Sequence, residues 1–174
     1  MKKIALRYGL YAASILIGLF LLKWTILGND NFDLQEILGW ASMVLALLFV
    51  FFGIKHYRDH VNQGALSFGK GMKVGLLIVL LPALAFGVFD VIYLEFINPE
   101  FFDKYYGFHL TQMQQSLPPA EFESWKKQME TSRGILQNPL VNFLVMSATI
   151  FIIGVIVTVI SSLILMRKPR VAVV

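Results

Sequence analysis

The residues that could do chemistry sit in apolar surroundings. Asp90 is the acid placed deepest in an apolar run, and the same run carries Pro82. A carboxylate in hydrocarbon must find a partner or take up a proton. At about 1.5 Å per helical residue, Asp90 lies roughly 12 Å in from Asn98, and Lys23 roughly 7 Å in from Gly28. The lysine stem can bridge that difference if the two helices are neighbours. Ser147, roughly 13 Å in from Asn138 by the same count, is an alternative hydrogen-bond partner. Ala83, Gly87 and Asp90 share one helical face, so the carboxylate is expected to turn towards other helices. The competing readings are an acid near enough to the interface to meet water, and a transport residue beside a Pro82 kink.

Other constellations are weaker. Gly64-Ala-Leu-Ser-Phe-Gly69-Lys70-Gly71 falls one residue short of a phosphate-binding loop, because Gly71 stands where Ser or Thr would reach Mg²⁺. His56, Asp59 and His60 have a spacing that metal sites use, but no further ligand is near in sequence. His109 is alone in an aromatic loop, and Ser147, Ser161 and Ser162 have no base in view. The chain has no cysteine, which excludes disulfides, thiol chemistry and cysteine metal sites. No catalytic set, cofactor-binding motif or metal site is expected.

The elements that must position these residues are apolar spans. The chain is 57% hydrophobic and 15% charged with mean hydropathy +0.68, displaced on each count from a soluble domain towards lipid. Spans are expected over about residues 4–27, 34–54, 67–97 and 140–166, within one membrane domain covering 1–174. The basic start and apolar stretch of residues 1–22 resemble a signal peptide. Lys23-Trp24 follows, however, and no small-x-small cleavage site does, so an uncleaved first span is expected. Asp33 and Glu36 have capping-box spacing at the start of the second span. Pro82 is expected to kink the third. Gly71 and Gly75, Ala83 and Gly87, and Ser42 and Ala46 place small residues four apart, which lets helices approach closely in lipid.

Residues 98–139 form the longest connector. Asn98-Pro99-Glu100 and Pro119-Ala120-Glu121 read as two helix starts, the second helix ending at Gly134. Phe122, Trp125 and Met129 make an apolar stripe on that otherwise polar helix. The segment reads as a helical hairpin lying on the membrane surface or packed on the helix ends. The fold class is therefore all-α: an integral membrane four-helix bundle with an extracytoplasmic helical hairpin between helices three and four.

Orientation follows from the basic residues. Lys2, Lys3, Arg7, Lys55, Arg58, Lys70, Lys73, Arg167, Lys168 and Arg170 fall on one side; Lys23, Lys104, Lys126, Lys127 and Arg133 fall on the other. The richer side should face the cytoplasm, leaving both termini inside and the hairpin outside. Clustered at span ends, the charges behind the net +4 serve orientation, and no nucleic-acid partner is expected.

FFGIKHYRDH followed by GALSFGKGMKVGLLI, then INPEF, a polar helical segment after paired prolines, and NP opening a last apolar span resemble a bacterial four-helix membrane family, domain of unknown function 4199. The resemblance covers nearly the whole chain and implies a multi-pass protein of the bacterial inner membrane. It brings no functional residues with it. The expected role is a non-enzymatic scaffold or accessory subunit, with lipid and a membrane-protein partner or further copies of itself as companions. The alternative is a small oligomeric transporter or channel component using Asp90 and the Pro82 kink.

Overall fold

The computed structural model describes residues 1–28 and 32–168. The described residues form six α-helices and no strand: α1 (Lys2–Leu27), α2 (Phe32–His60), α3 (Phe68–Ile92), α4 (Phe101–Ser116), α5 (Pro119–Leu136) and α6 (Pro139–Leu165). A π-helical turn, Tyr93–Ile97, continues α3. Four helices are long and apolar enough to cross a membrane: α1, α2, α6, and α3 with its π turn. This is a membrane protein, and its large exposed apolar side chains, Leu80, Leu84 and Val88 among them, face the hydrocarbon.

Several ends differ from expectation. The helix of α2 already contains Phe32, so Asp33 is an acid in the first turn rather than a cap, and the Asp33–Glu36 capping box is not formed. At its far end α2 runs on to His60 instead of stopping near residue 54. Tyr57 is buried there, the His56 ring meets Tyr8 and stacks on His60 at 4.4 Å, and the polar residues leave the apolar layer still helical. Pro99 lies before α4, whose N-cap is Glu100. α5 passes through Gly134 to Leu136, because Leu136 still has a wall to cover. Arg170 and the turn residues 29–31 lie outside the described residues.

Two caps match the sequence logic. The Ser67 hydroxyl accepts from the Lys70 N–H at 3.4 Å, and the Asn138 side chain accepts from the Leu140 and Val141 N–H groups. The α2–α3 loop turns at Gly64 (φ 78°), in the left-handed region that glycine adopts without strain. Leu66 and Arg167 then exchange two 2.9 Å backbone hydrogen bonds, tying that loop to the end of α6.

α3 is the centre of the packing, and its most extensive interface is with α6. The small residues explain why. A Cβ on Gly71 would meet Ser162, one on Gly75 would meet Thr158, one on Gly87 would meet Ser147, and one on Gly154 of α6 would meet Val79. The two helices approach as closely as missing side chains permit. Dispersion attraction between backbones this close is what holds helices together in lipid.

Pro82 is buried within α3, and the helix continues through it. It withholds the N–H that would bond the Ile78 carbonyl. That carbonyl oxygen lies 3.0 Å from where a Cβ on Gly9 would stand, so the glycine of α1 packs directly on the freed group.

The seam predicts a contrast between two Gly→Ala changes. Gly75→Ala drives a methyl into Thr158 and Ile54 and should cost about 1–3 kcal/mol. Gly18→Ala meets nothing within 4 Å and gains helix propensity, so its stability should hold or rise. Thermal unfolding of both variants in one detergent checks the difference.

Candidate functional site

Where α1, α2, α3 and α6 splay apart at the hairpin end, they enclose a cavity of ≈ 380 Å³. Its walls carry Phe20 and Lys23 from α1, Gln35 and Trp40 from α2, Asp90 and Tyr93 from α3 and its π turn, and Asn142 from α6. α4 supplies the roof. Phe32, at the start of α2, packs against Phe101, Tyr105 and Phe108 with ring centroids 6.1, 5.6 and 5.4 Å away, and Phe101 also meets Tyr93. Such edge-to-face contacts add direction to apolar burial.

Tyr93 is the hub of the upper wall. Phe20 and Trp24 meet it edge-on at 5.0 and 5.9 Å, and its hydroxyl accepts from the Asn98 side chain at 2.8 Å. On the roof, burial pushes the Tyr105 hydroxyl above its ordinary range, with the charges of Glu36 and Asp33 adding to the effect. It stays a neutral donor at physiological pH.

Asp90 is 7% exposed, and its Oδ2 accepts a 2.8 Å hydrogen bond from Nδ2 of Asn142, which is 1% exposed. The expected pairing with Lys23 is not formed. The Lys23 ammonium donates to the Gln35 carbonyl at 3.2 Å and sits 4.5 Å from the centre of the Phe20 ring. Gln35 closes that corner by donating from Nε2 to the Gly28 carbonyl at 2.6 Å. Lys23 and Asp90 thus share one cavity without an ion pair between them. Ser147 is not the partner of Asp90 either. Its hydroxyl fills the space left by Gly87 and is buried without a hydrogen bond among the described residues.

Residues 7–167 match the family described as "Protein of unknown function (DUF4199)". The chain belongs to that family. No curated protein and no solved structure matches it.

The other candidates of this DUF4199 protein lie apart from the chamber. His56 and His60 stack on each other, while Asp59 pairs with Arg58 at 2.6 Å. No group of three His, Cys, Asp or Glu among the described residues could hold a metal ion. The Gly64–Gly71 segment makes a turn and a helix start, with Gly71 against Ser162. Pro82 lies deeper in α3 than Asp90 and does not line the cavity. On α5, Phe122, Trp125 and Met129 are half-buried on one face, with Phe122 stacked on Trp125 at 6.4 Å. α4 and α5 are joined by an Arg133–Asp103 ion pair, and the Arg133 guanidinium lies 5.3 Å from the Tyr106 ring centre.

Asn142 is the site residue that sequence reasoning missed. Its signal was a lone amide in the first turns of an otherwise apolar span, without a charge to draw notice.

A double-mutant cycle tests this geometry. Asp90→Leu leaves the Asn142 amide unpaired and should cost about 1–3 kcal/mol, whereas Asp90→Asn keeps an acceptor and should cost less. Coupling of Asp90→Leu to Asn142→Leu should exceed its coupling to Lys23→Met when unfolding is followed in detergent.

Proposed function

We propose that this DUF4199 protein is a four-span subunit of the bacterial inner membrane, with both termini in the cytoplasm. It serves as a non-enzymatic scaffold or accessory subunit through its extracytoplasmic hairpin. The observation that carries the reading is the build of that hairpin. Neither α4 nor α5 buries a residue completely. The pair is nonetheless anchored, by the Phe32 cluster on one side and by the Asp103–Arg133 ion pair within. A surface tied to the spans by ring contacts yet left uncovered suits contact with a neighbouring membrane protein. The excess of Lys and Arg at the end that carries Met1, the α2–α3 loop and Arg167 supports the orientation.

The ionisable residues lining the chamber favour a second reading, a small oligomeric transporter or channel component using Asp90, with Pro82 deeper in the same helix. Proteoliposomes separate the two. A scaffold moves no proton or solute under a pH gradient, and it co-purifies with a reproducible partner in mild detergent that is lost when the hairpin surface is altered.

The chain has no native cysteine, so orientation can be read from single introduced ones. Gln115→Cys and Gln128→Cys should react with an impermeant thiol reagent in intact spheroplasts, and Asn62→Cys only after lysis. The reverse pattern would invert the protein in the membrane.

A further inference from the structure

The chamber holds charge and hydrogen-bonding capacity that the chain does not use up. Oδ1 of Asn142 is buried without a partner among the described residues, although Nδ2 of the same amide is spent on Asp90. A carbonyl oxygen left dry in this way costs about 1–3 kcal/mol unless something donates to it. Beside it stands Asp90, an acceptor when ionised. Lys23 faces the same space and has three N–H donors, of which the Gln35 carbonyl takes one. Acceptors thus gather on the α3–α6 wall, and the α1–α2 wall carries an under-used cation, Lys23, together with the Glu36 carboxylate, with aromatic rings lining the same space.

A chamber that presents both signs calls for a ligand carrying both as well. An anion alone would leave Asn142 Oδ1 unmatched, and a cation alone would face Lys23. A group with N–H donors satisfies both acceptors, whereas a trimethylated ammonium has none to give. The surrounding rings of Phe20, Tyr93, Phe101 and Tyr105 favour a cation as well. The cavity's lining also includes surface residues of α2 and α6. Trp40, 50% exposed, lines it on α2, and the partly exposed Thr149 lines it on α6. Its ≈ 380 Å³ falls within the roughly 300–1,000 Å³ of ordinary ligand sites and suits a headgroup rather than a whole lipid.

We propose that the chamber binds a zwitterion that joins a primary ammonium to a phosphate, as in the headgroup of an ethanolamine phospholipid. The ammonium donates to Asp90 and to Oδ1 of Asn142, the phosphate takes the free N–H groups of Lys23, and the acyl chains leave between α2 and α6. This site is separate from the hairpin surface and stands whether or not that surface meets a partner.

The test uses the purified full-length chain in detergent. Binding and thermal shift are measured with short-chain phosphatidylethanolamine, phosphatidylcholine and phosphatidylglycerol, and with free phosphoethanolamine. Phosphatidylethanolamine should bind tightest and raise Tm most, and Lys23→Gln should weaken it about tenfold or more and weaken phosphatidylcholine, which carries the same phosphate, as well. Asn142→Leu should remove the preference for ethanolamine over choline. If Asn142→Leu does not fold, the ranking of lipids on the wild-type chain decides alone. A response to phosphoethanolamine without one to the lipid supports the same site and assigns it to a soluble ligand. Equal binding of all three lipids, or no response to either ethanolamine compound, overturns the proposal.

Discussion

The close approach of α3 and α6 is the constraint on which the remaining arrangement depends. Lipid offers apolar side chains as good a home as a neighbouring helix does, so helices associate only where packing is better than acyl chains provide. Gly71, Gly75 and Gly87 on α3, with Gly154 on α6, supply that fit. The seam also fixes the relative height of the two helices. With Ser147 seated on Gly87, Asn142 lies one to two turns nearer the hairpin, beside Asp90. The hydroxyls of Ser147, Thr158 and Ser162 are buried on this seam without partners among the described residues, which marks them as small fillers between close backbones.

α3 departs from regularity twice, and each departure is matched by a neighbour. Pro82 frees the Ile78 carbonyl, and Gly9 brings the α1 backbone against it. At the upper end, the π turn Tyr93–Ile97 widens the helix as it leaves the bundle. The turn carries Tyr93 into the rings of Phe20, Trp24 and Phe101, and Asn98 reaches back to bond the tyrosine hydroxyl. Local departures of this kind persist because surrounding groups over-determine them.

Much of the fold was legible because it is written in runs of apolar residues and in caps. The spans, the Ser67 and Asn138 starts and the α4–α5 hairpin all carry local signals. What was hidden depends on relations between helices. Counting depth at a constant rise put Asp90 roughly 5 Å deeper than Lys23 and level with Ser147, and passed over Asn142. The π turn packs extra residues into one turn, so Asp90 lies nearer the helix end than a uniform count gives. The pairing of Lys23 with a backbone carbonyl could not be foreseen, because it needs the α1–α2 corner that Gln35 closes on Gly28. The extra length of α2 was missed because polarity was taken as the end of the helix. A helix leaving the apolar layer has no need to stop while Tyr57 and His56 still have rings to pack against.

The chamber and the hairpin are joined through that same corner. Phe32 is the footing on which α4 rests, and Gln35, one turn further along α2, both receives Lys23 and holds Gly28. A group that drew the Lys23 ammonium away from the Gln35 carbonyl would loosen the corner within a turn of Phe32. Conversely, a partner that shifted α4 would act on Phe32 and so on the mouth of the chamber. Phe32 and Gln35 lie one turn apart on α2, so the footing of α4 and the partner of Lys23 are neighbours. The seam sets the height of Asp90 and Asn142, the corner holds Lys23 to the Gln35 carbonyl, and the rings of α4 line the space they share.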